Sequence, residues 1–349
     1  MNWFTKITRQ IEEEGDNKMK FPPIRQKLQD NPVILGLGII VILLFTLLLH
    51  EYLLDNLTVI FEPGSSRYDD FRIAVIHCIL AGYLPAAYFY LIRGTRNNID
   101  ELEKVLEPIN VPSPINIGKR SLILWGLVGM MGAVFATYLT ASSFWDPSTW
   151  NPEVWWHRGL GLFVGFWIGC FIVAVLDSSE RVSRLADRIK KVDILDLSPL
   201  SPFVNQGLLT ILLMIGFVSI FSLFLLEPRQ WPAVVILVSL TLPTALLGLM
   251  QPVRGVHRLI REAKQAELQW TREKIRQAIP LLHDISSEGS SSQMGDLEAY
   301  RRLIEDVPEW PFQSSTILKV VLYLLIPIAS WFGGMLIEGM VELVWGISR

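Results

Sequence analysis

Cysteine is nearly absent: the 349 residues hold two, Cys78 and Cys170, both inside apolar runs. That scarcity excludes a disulfide framework or a paired-cysteine metal site, and both read as small buried side chains. Charge is sparse as well. Asp, Glu, Lys and Arg make up 19% of the chain, against about 25% in soluble domains. The net charge of −3 leaves no electrostatic footprint for DNA or RNA, so no nucleic acid is expected as a partner. The common catalytic signatures are missing too: no G-x-x-x-x-G-K-[ST], no H-E-x-x-H, no G-x-S-x-G and no C-x-x-C occurs. No cofactor is implied.

Apolar residues are what the chain has. They make up 51% of it, the mean hydropathy is +0.37, and they are concentrated in long runs rather than spread at helix or strand period. A bilayer core about 30 Å thick needs about 20 apolar residues at 1.5 Å each. Seven runs qualify, at approximately 33–53, 72–92, 121–142, 159–177, 206–226, 231–251 and 316–337. The expected fold is therefore all-α: a polytopic membrane bundle of about seven helices, with the lipid bilayer as its first partner. The second run is the weakest, because it carries His77 and Pro85. The seventh continues apolar to Ile347, which predicts a tilt, a break near Pro327 or Gly333-Gly334, or an interfacial last turn.

Lysine and arginine give the orientation. With the N-terminus inside, segments 1–32, 93–120, 178–205 and 252–319 hold 26 of the 31 basic residues. The positive-inside rule then places the N-terminus in the cytoplasm and the C-terminus outside. Residues 1–32 have no apolar core of a signal peptide, so the membrane expected is a cell inner membrane crossed many times. The Trp145, Trp150, Trp155 and Trp156 cluster reads as an interfacial belt.

The chain divides into four parts on this reading. Residues 1–32 form a cytoplasmic segment in which Trp3, Phe4, Ile7 and Ile11 make a short amphipathic helix. Residues 33–251 hold six spans and two cytoplasmic helical loops. Residues 252–315 form a cytoplasmic helical segment with a flexible Ser-rich linker at 286–295. Residues 316–349 supply the seventh span and a short outer tail. In the second inner loop Val182, Leu185, Ile189 and Val192 recur at coiled-coil spacing, and Arg254 to Ala278 reads as one long helix with Val256, Ile260, Ala263 and Trp270 on its apolar side. These two stripes are the expected contact for a protein partner or a second copy. Pro280 ends the long helix.

Two further features suggest roles for particular residues. Gly161, Gly165 and Gly169 are four apart on the fourth span, and the third span offers Gly129 and Ala133, so the two are expected to pack closely. Three of the five histidines, His50, His77 and His157, fall in the outer third with Glu338 and Glu342. If those spans converge, they are candidates for a metal or proton site. The bland alternative is that polar residues collect at interfaces.

The phrases Gly82-Tyr-Leu-Pro-Ala-Ala-Tyr88, Val192-Asp-Ile-Leu-Asp-Leu-Ser-Pro-Leu200, Arg254-Gly-Val-His257, Glu309-Trp-Pro-Phe312 and Ser330-Trp-Phe-Gly-Gly334 resemble those of a group of uncharacterised bacterial multi-pass inner-membrane proteins. The resemblance spans most of the chain and implies the membrane fold, with no activity and no site residues. The basic stretch Arg184-Leu-Ala-Asp-Arg188 running out of a span is similar to signal-relay helices of bacterial membrane receptors. The function expected is a non-enzymatic structural, regulatory or relay component acting through its cytoplasmic helices. The alternatives are a channel or transporter for a small neutral solute or ion, and a membrane enzyme or metal site at the outer interface.

Overall fold

The computed structural model describes residues 31–62, 65–105, 118–140, 146, 152–189, 192–227, 230–282, 288–311 and 314–347. The amphipathic N-terminal segment and most of the Trp-rich loop lie outside them. Among the described residues there are eight α-helices, in order: α1 Pro32–Leu53, α2 Ser66–Val105, α3 Lys119–Thr140, α4 Pro152–Ala186, α5 Ser201–Ser222, α6 Trp231–Leu282, α7 Glu288–Asp306 and α8 Ser314–Ile347. All except α7 are long and apolar enough to cross a membrane. The chain is a multi-pass membrane helix bundle. Helices suit these runs because every backbone N–H and C=O is satisfied within the segment, leaving none to face lipid.

Helices α2, α4, α6 and α5 close a ring in that order, each packed on the next. Their shared core holds Leu80, Leu84 and Leu91 of α2, Phe171 and Val175 of α4, Met214 and Phe217 of α5, and Val234 of α6. Phe171 and Phe217 meet edge to face, with ring centroids 6.4 Å apart. Cys78 and Cys170 are buried free thiols. The second run, the weakest by composition, is thus a core helix. Pro85 lies within α2 without ending it.

The other spans flank this ring. α1 rests on α2, α3 on α4, and α8 on α5. The first contact is close because both helices lack side chains at the crossing: a Cβ on Gly36 would come within 2.7 Å of the Ala86 Cβ and 2.9 Å of the Gly82 carbonyl oxygen. At the end of α1 the Asn56 N–H bonds the Glu51 carbonyl and the Asp55 N–H bonds that of Tyr52. Asp55 has φ 55°, the left-handed position that usually takes glycine. α8 runs through Pro327 as one helix of 34 residues, about 51 Å long. The expected break is absent, and a tilt or an interfacial end is left to absorb the excess length.

Three of the four core helices run on past the bundle at the same end. α6 is the extreme, with 52 residues and a length of about 78 Å. It crosses position 251 without interruption, so the expected boundary between the spans and the 252–315 segment is not a structural break. It also ends two residues beyond Pro280. The Ser-rich stretch expected as a flexible linker is largely the start of α7.

Candidate functional site

The glycine face of the fourth span meets the third. A Cβ on Gly129 would collide with the Gly165 carbonyl oxygen, one on Gly169 with that of Trp125, and one on Gly165 would come within 2.6 Å of the Ala133 Cβ. Gly161 is not part of this contact, since a Cβ there meets nothing within 4 Å among the described residues. Two helices that touch at one crossing separate on either side of it, and Gly161 lies beyond the crossing.

The bundle interior carries a polar layer toward the end where the long helices emerge. Asn98 Nδ2 donates to Gln206 Oε1 at 2.9 Å, Gln206 Nε2 donates to Thr95 Oγ1 at 3.0 Å, and Thr95 Oγ1 donates to the Leu91 carbonyl at 2.7 Å. Gln206 and Thr95 are fully buried. The amide of Gln206 thereby spends a donor and an acceptor on α2, which fixes the register of α5 against it. Ser179 Oγ donates to the Gly248 carbonyl at 3.0 Å across α4 and α6. Thr210 Oγ1, one turn from Gln206, is buried and makes no hydrogen bond among the described residues. Sequence reasoning passed over these residues, because an isolated Thr, Asn or Gln near a span end gives no periodic signal.

Of the histidines proposed as a cluster, His77 and His157 lie within electrostatic reach of each other. His50 Nδ1 is 3.3 Å from Glu51 Oε1. His77 donates from Nδ1 to the Ile73 carbonyl at 2.9 Å, and its ring meets Phe224 edge to face at 5.0 Å. His157 lies in the second turn of α4. Among the described residues no three His, Cys, Asp or Glu side chains group closely enough to hold a metal ion. Glu338 and Glu342 lie on α8 where side chains are not described. Arg72 binds Asp69 and Glu227 at 3.3 and 3.5 Å and the Leu226 carbonyl at 3.3 Å.

The long helices build a second, smaller core outside the bundle. Val182 and Leu185 of α4, Val256 and Ile260 of α6, Leu102 of α2 and Phe203 of α5 are buried together, with Ile189 and Val192 packed against them. Two expectations change here. The stripe Val182 to Val192 is not one helix, because α4 ends at Ala186. The chain must turn back to α5, and side-chain caps hold that turn: Asp193 Oδ1 accepts from the Leu195 N–H at 2.9 Å, and Asp196 Oδ1 accepts from Ser198 N and Oγ at 3.0 and 2.6 Å. The stripes also bury largely in each other rather than waiting for a partner. Arg258 pairs with Asp187 to close the rim.

Beyond Ile260 the character of α6 changes. Ala263 is half-buried, and Trp270 is 49% exposed. Helix α7 folds back antiparallel along this stretch. Ile304 is its buried anchor. Lys264 Nζ donates to the carbonyls of Glu305 and Val307 at 2.7 and 2.8 Å, so a cation caps the C-terminal end of α7. Further out, Tyr300 Oη donates to Glu267 Oε2 at 3.3 Å, and the Trp270 and Tyr300 rings meet edge to face with centroids 6.4 Å apart. Burial first, and then the Glu267 carboxylate, raise the pKa of the Tyr300 phenol. This outer half of the layer is the candidate site.

No protein-family model matches the chain, and neither a curated protein nor a solved structure is significantly similar to it.

Proposed function

We propose that the chain is a non-enzymatic docking or relay component of a bacterial inner membrane, with its N-terminus and helical layer in the cytoplasm and its C-terminus outside. The observation that carries this reading is the continuity of α6. One helix packs Val234 and Leu249 among the bundle helices, buries Val256 and Ile260 in the small core, and ends in the stretch that exposes Trp270. A contact made at the outer half of the layer therefore bears on the same rod that packs the bundle. The bias of 26 of the 31 basic residues to one side supports the orientation.

In-cell photo-crosslinking tests the docking role. A photoreactive residue at position 270 or 303 is expected to trap a polypeptide, while one at lipid-exposed Leu325 traps none. Silence at both 270 and 303 overturns the reading. Asn56→Cys and Gly295→Cys, labelled with a membrane-impermeant maleimide on intact cells, test the orientation: only the first is expected to react.

A second reading, a path for a small neutral solute, draws on one observation, the buried polar layer with a Thr210 hydroxyl that makes no hydrogen bond among the described residues. Solute flux into liposomes holding the purified protein tests it, with Thr210→Val as the comparison.

A further inference from the structure

The outer half of the layer holds two adjacent clefts of different chemistry. The first, about 630 Å³, is lined by Glu267, Trp270, Asp296, Leu297 and Tyr300. The second, about 370 Å³, lies between the 194–197 turn and the end of α7, with Leu195 and Leu303 on its walls. Leu195 is 60% and Leu303 50% exposed. Tyr300 and Leu303 are three residues apart on α7, so the clefts are neighbours about one helical turn apart.

The first cleft is built for a cation. Glu267 and Asp296 supply two carboxylates, and neither makes an ion pair among the described residues. Trp270 adds the aromatic face that best attracts positive charge. The chain's own Lys274 ammonium already hovers 6.0 Å from the centre of that ring. An indole beside two carboxylates suits guanidinium in particular, which stacks flat and bonds a carboxylate at the same time. The second cleft is mostly apolar wall, Leu195, Leu197, Leu303 and Val307 among it, with one carboxylate, Asp306, at its edge. A free small cation has no use for that wall, whereas a polypeptide presenting both kinds of side chain covers both clefts.

We propose that this surface docks a partner polypeptide segment that places an arginine in the Trp270–Tyr300 cleft and an apolar side chain between Leu195 and Leu303. The proposal rests on the docking role above and gives the partner its chemistry. Lys274 is then a competitor that the incoming arginine displaces from the Trp270 face.

The test uses full-length protein in detergent micelles and a fluorescein-labelled 12-residue peptide. The peptide carries one arginine and one leucine four positions apart on an alanine and glutamine background. Saturable binding by fluorescence anisotropy is expected, lost when glutamate replaces the arginine and weakened when serine replaces the leucine. Trp270→Ala is expected to weaken binding about two- to fivefold, and the pair Glu267→Gln with Asp296→Asn further. Lys274→Ala is expected to tighten it, a gain that mere damage to the layer does not produce. Trp270→Phe serves in place of alanine if that variant elutes as aggregate. Equal binding of the glutamate peptide, indifference to all the cleft substitutions, or saturation of the cleft by tetramethylammonium without any peptide binding overturns the proposal. A protein that still crosslinks a polypeptide at position 270 in cells while ignoring the basic peptide loses this inference alone; loss of both removes the docking role as well.

Discussion

The imidazole of His257 lies flat against the indole of Trp310, with ring centroids 4.1 Å apart and planes 8° from parallel. His257 also donates from Nδ1 to the Glu309 carbonyl at 3.0 Å. One side chain of α6 thus holds the segment that carries the chain from α7 back to the last span. With Lys264 at the end of α7, it makes that return path part of the layer.

Replacing His257 with alanine removes the stacking and the hydrogen bond together. The expected cost is about 1–2 kcal/mol, felt locally. Hydrogen exchange should quicken across residues 305–311 and leave the bundle unchanged. His257→Phe keeps the ring contact and should recover part of the protection.

The α3–α4 crossing gives a comparison within one glycine row. Gly169→Val puts side-chain atoms where the Trp125 carbonyl sits and is expected to cost about 1–3 kcal/mol or to dislodge α3. Gly161→Val meets open space and is expected to leave stability within about 0.5 kcal/mol. The thermal midpoint of each variant in detergent decides between them.

Gln206→Leu leaves the buried Asn98 amide without its acceptor and Thr95 without one donor. The expected loss is about 1–2 kcal/mol. Adding Asn98→Leu should restore part of it, because the pair then leaves no orphaned donor. A double-mutant cycle on Tm measures that coupling.

Val256→Asp and Ile260→Asp bury a charge in the small core and are expected to give protein that aggregates on purification. Trp270→Asp, on the same helix, is expected to purify as the native chain does, since its side chain is half in solvent. Size-exclusion profiles of the three variants check this.

The turn into α5 should respond to acid. Hydrogen bonds from the Ser198 hydroxyl and then its N–H hold the Asp196 carboxyl below its usual value. A lowered folded value means the contribution is present above the unfolded pKa and fades as pH falls through the folded one. Ser198→Ala should raise the Asp196 value and weaken that dependence. Proteolysis of the 193–198 turn across an acid series reads it out.

The membrane fold was legible because bilayer thickness makes a demand that composition alone can meet: seven stretches of about 20 apolar residues leave few other outcomes. The close crossing of α3 and α4 was legible in part, since small residues four apart mark a face, but only the crossing geometry sets how far along that face contact extends. It excluded Gly161, and a second close crossing, Gly36 against Gly82 between α1 and α2, was unforeseen. The stripes Val182–Val192 and Val256–Trp270 were visible as apolar periodicity, and periodicity says that a face is buried without saying by what.

The sequence by itself determined the number of spans, the helical class and the side on which basic residues gather, because each follows from local hydropathy and charge. The tertiary structure decided which helices are core and which rest on the outside, and that the stripes on α4 and α6 bury Val182, Leu185, Val256 and Ile260 together while Trp270 stays exposed. Those outcomes depend on contacts between residues far apart in the chain, such as Asn98 with Gln206 and His257 with Trp310, and no local pattern encodes them.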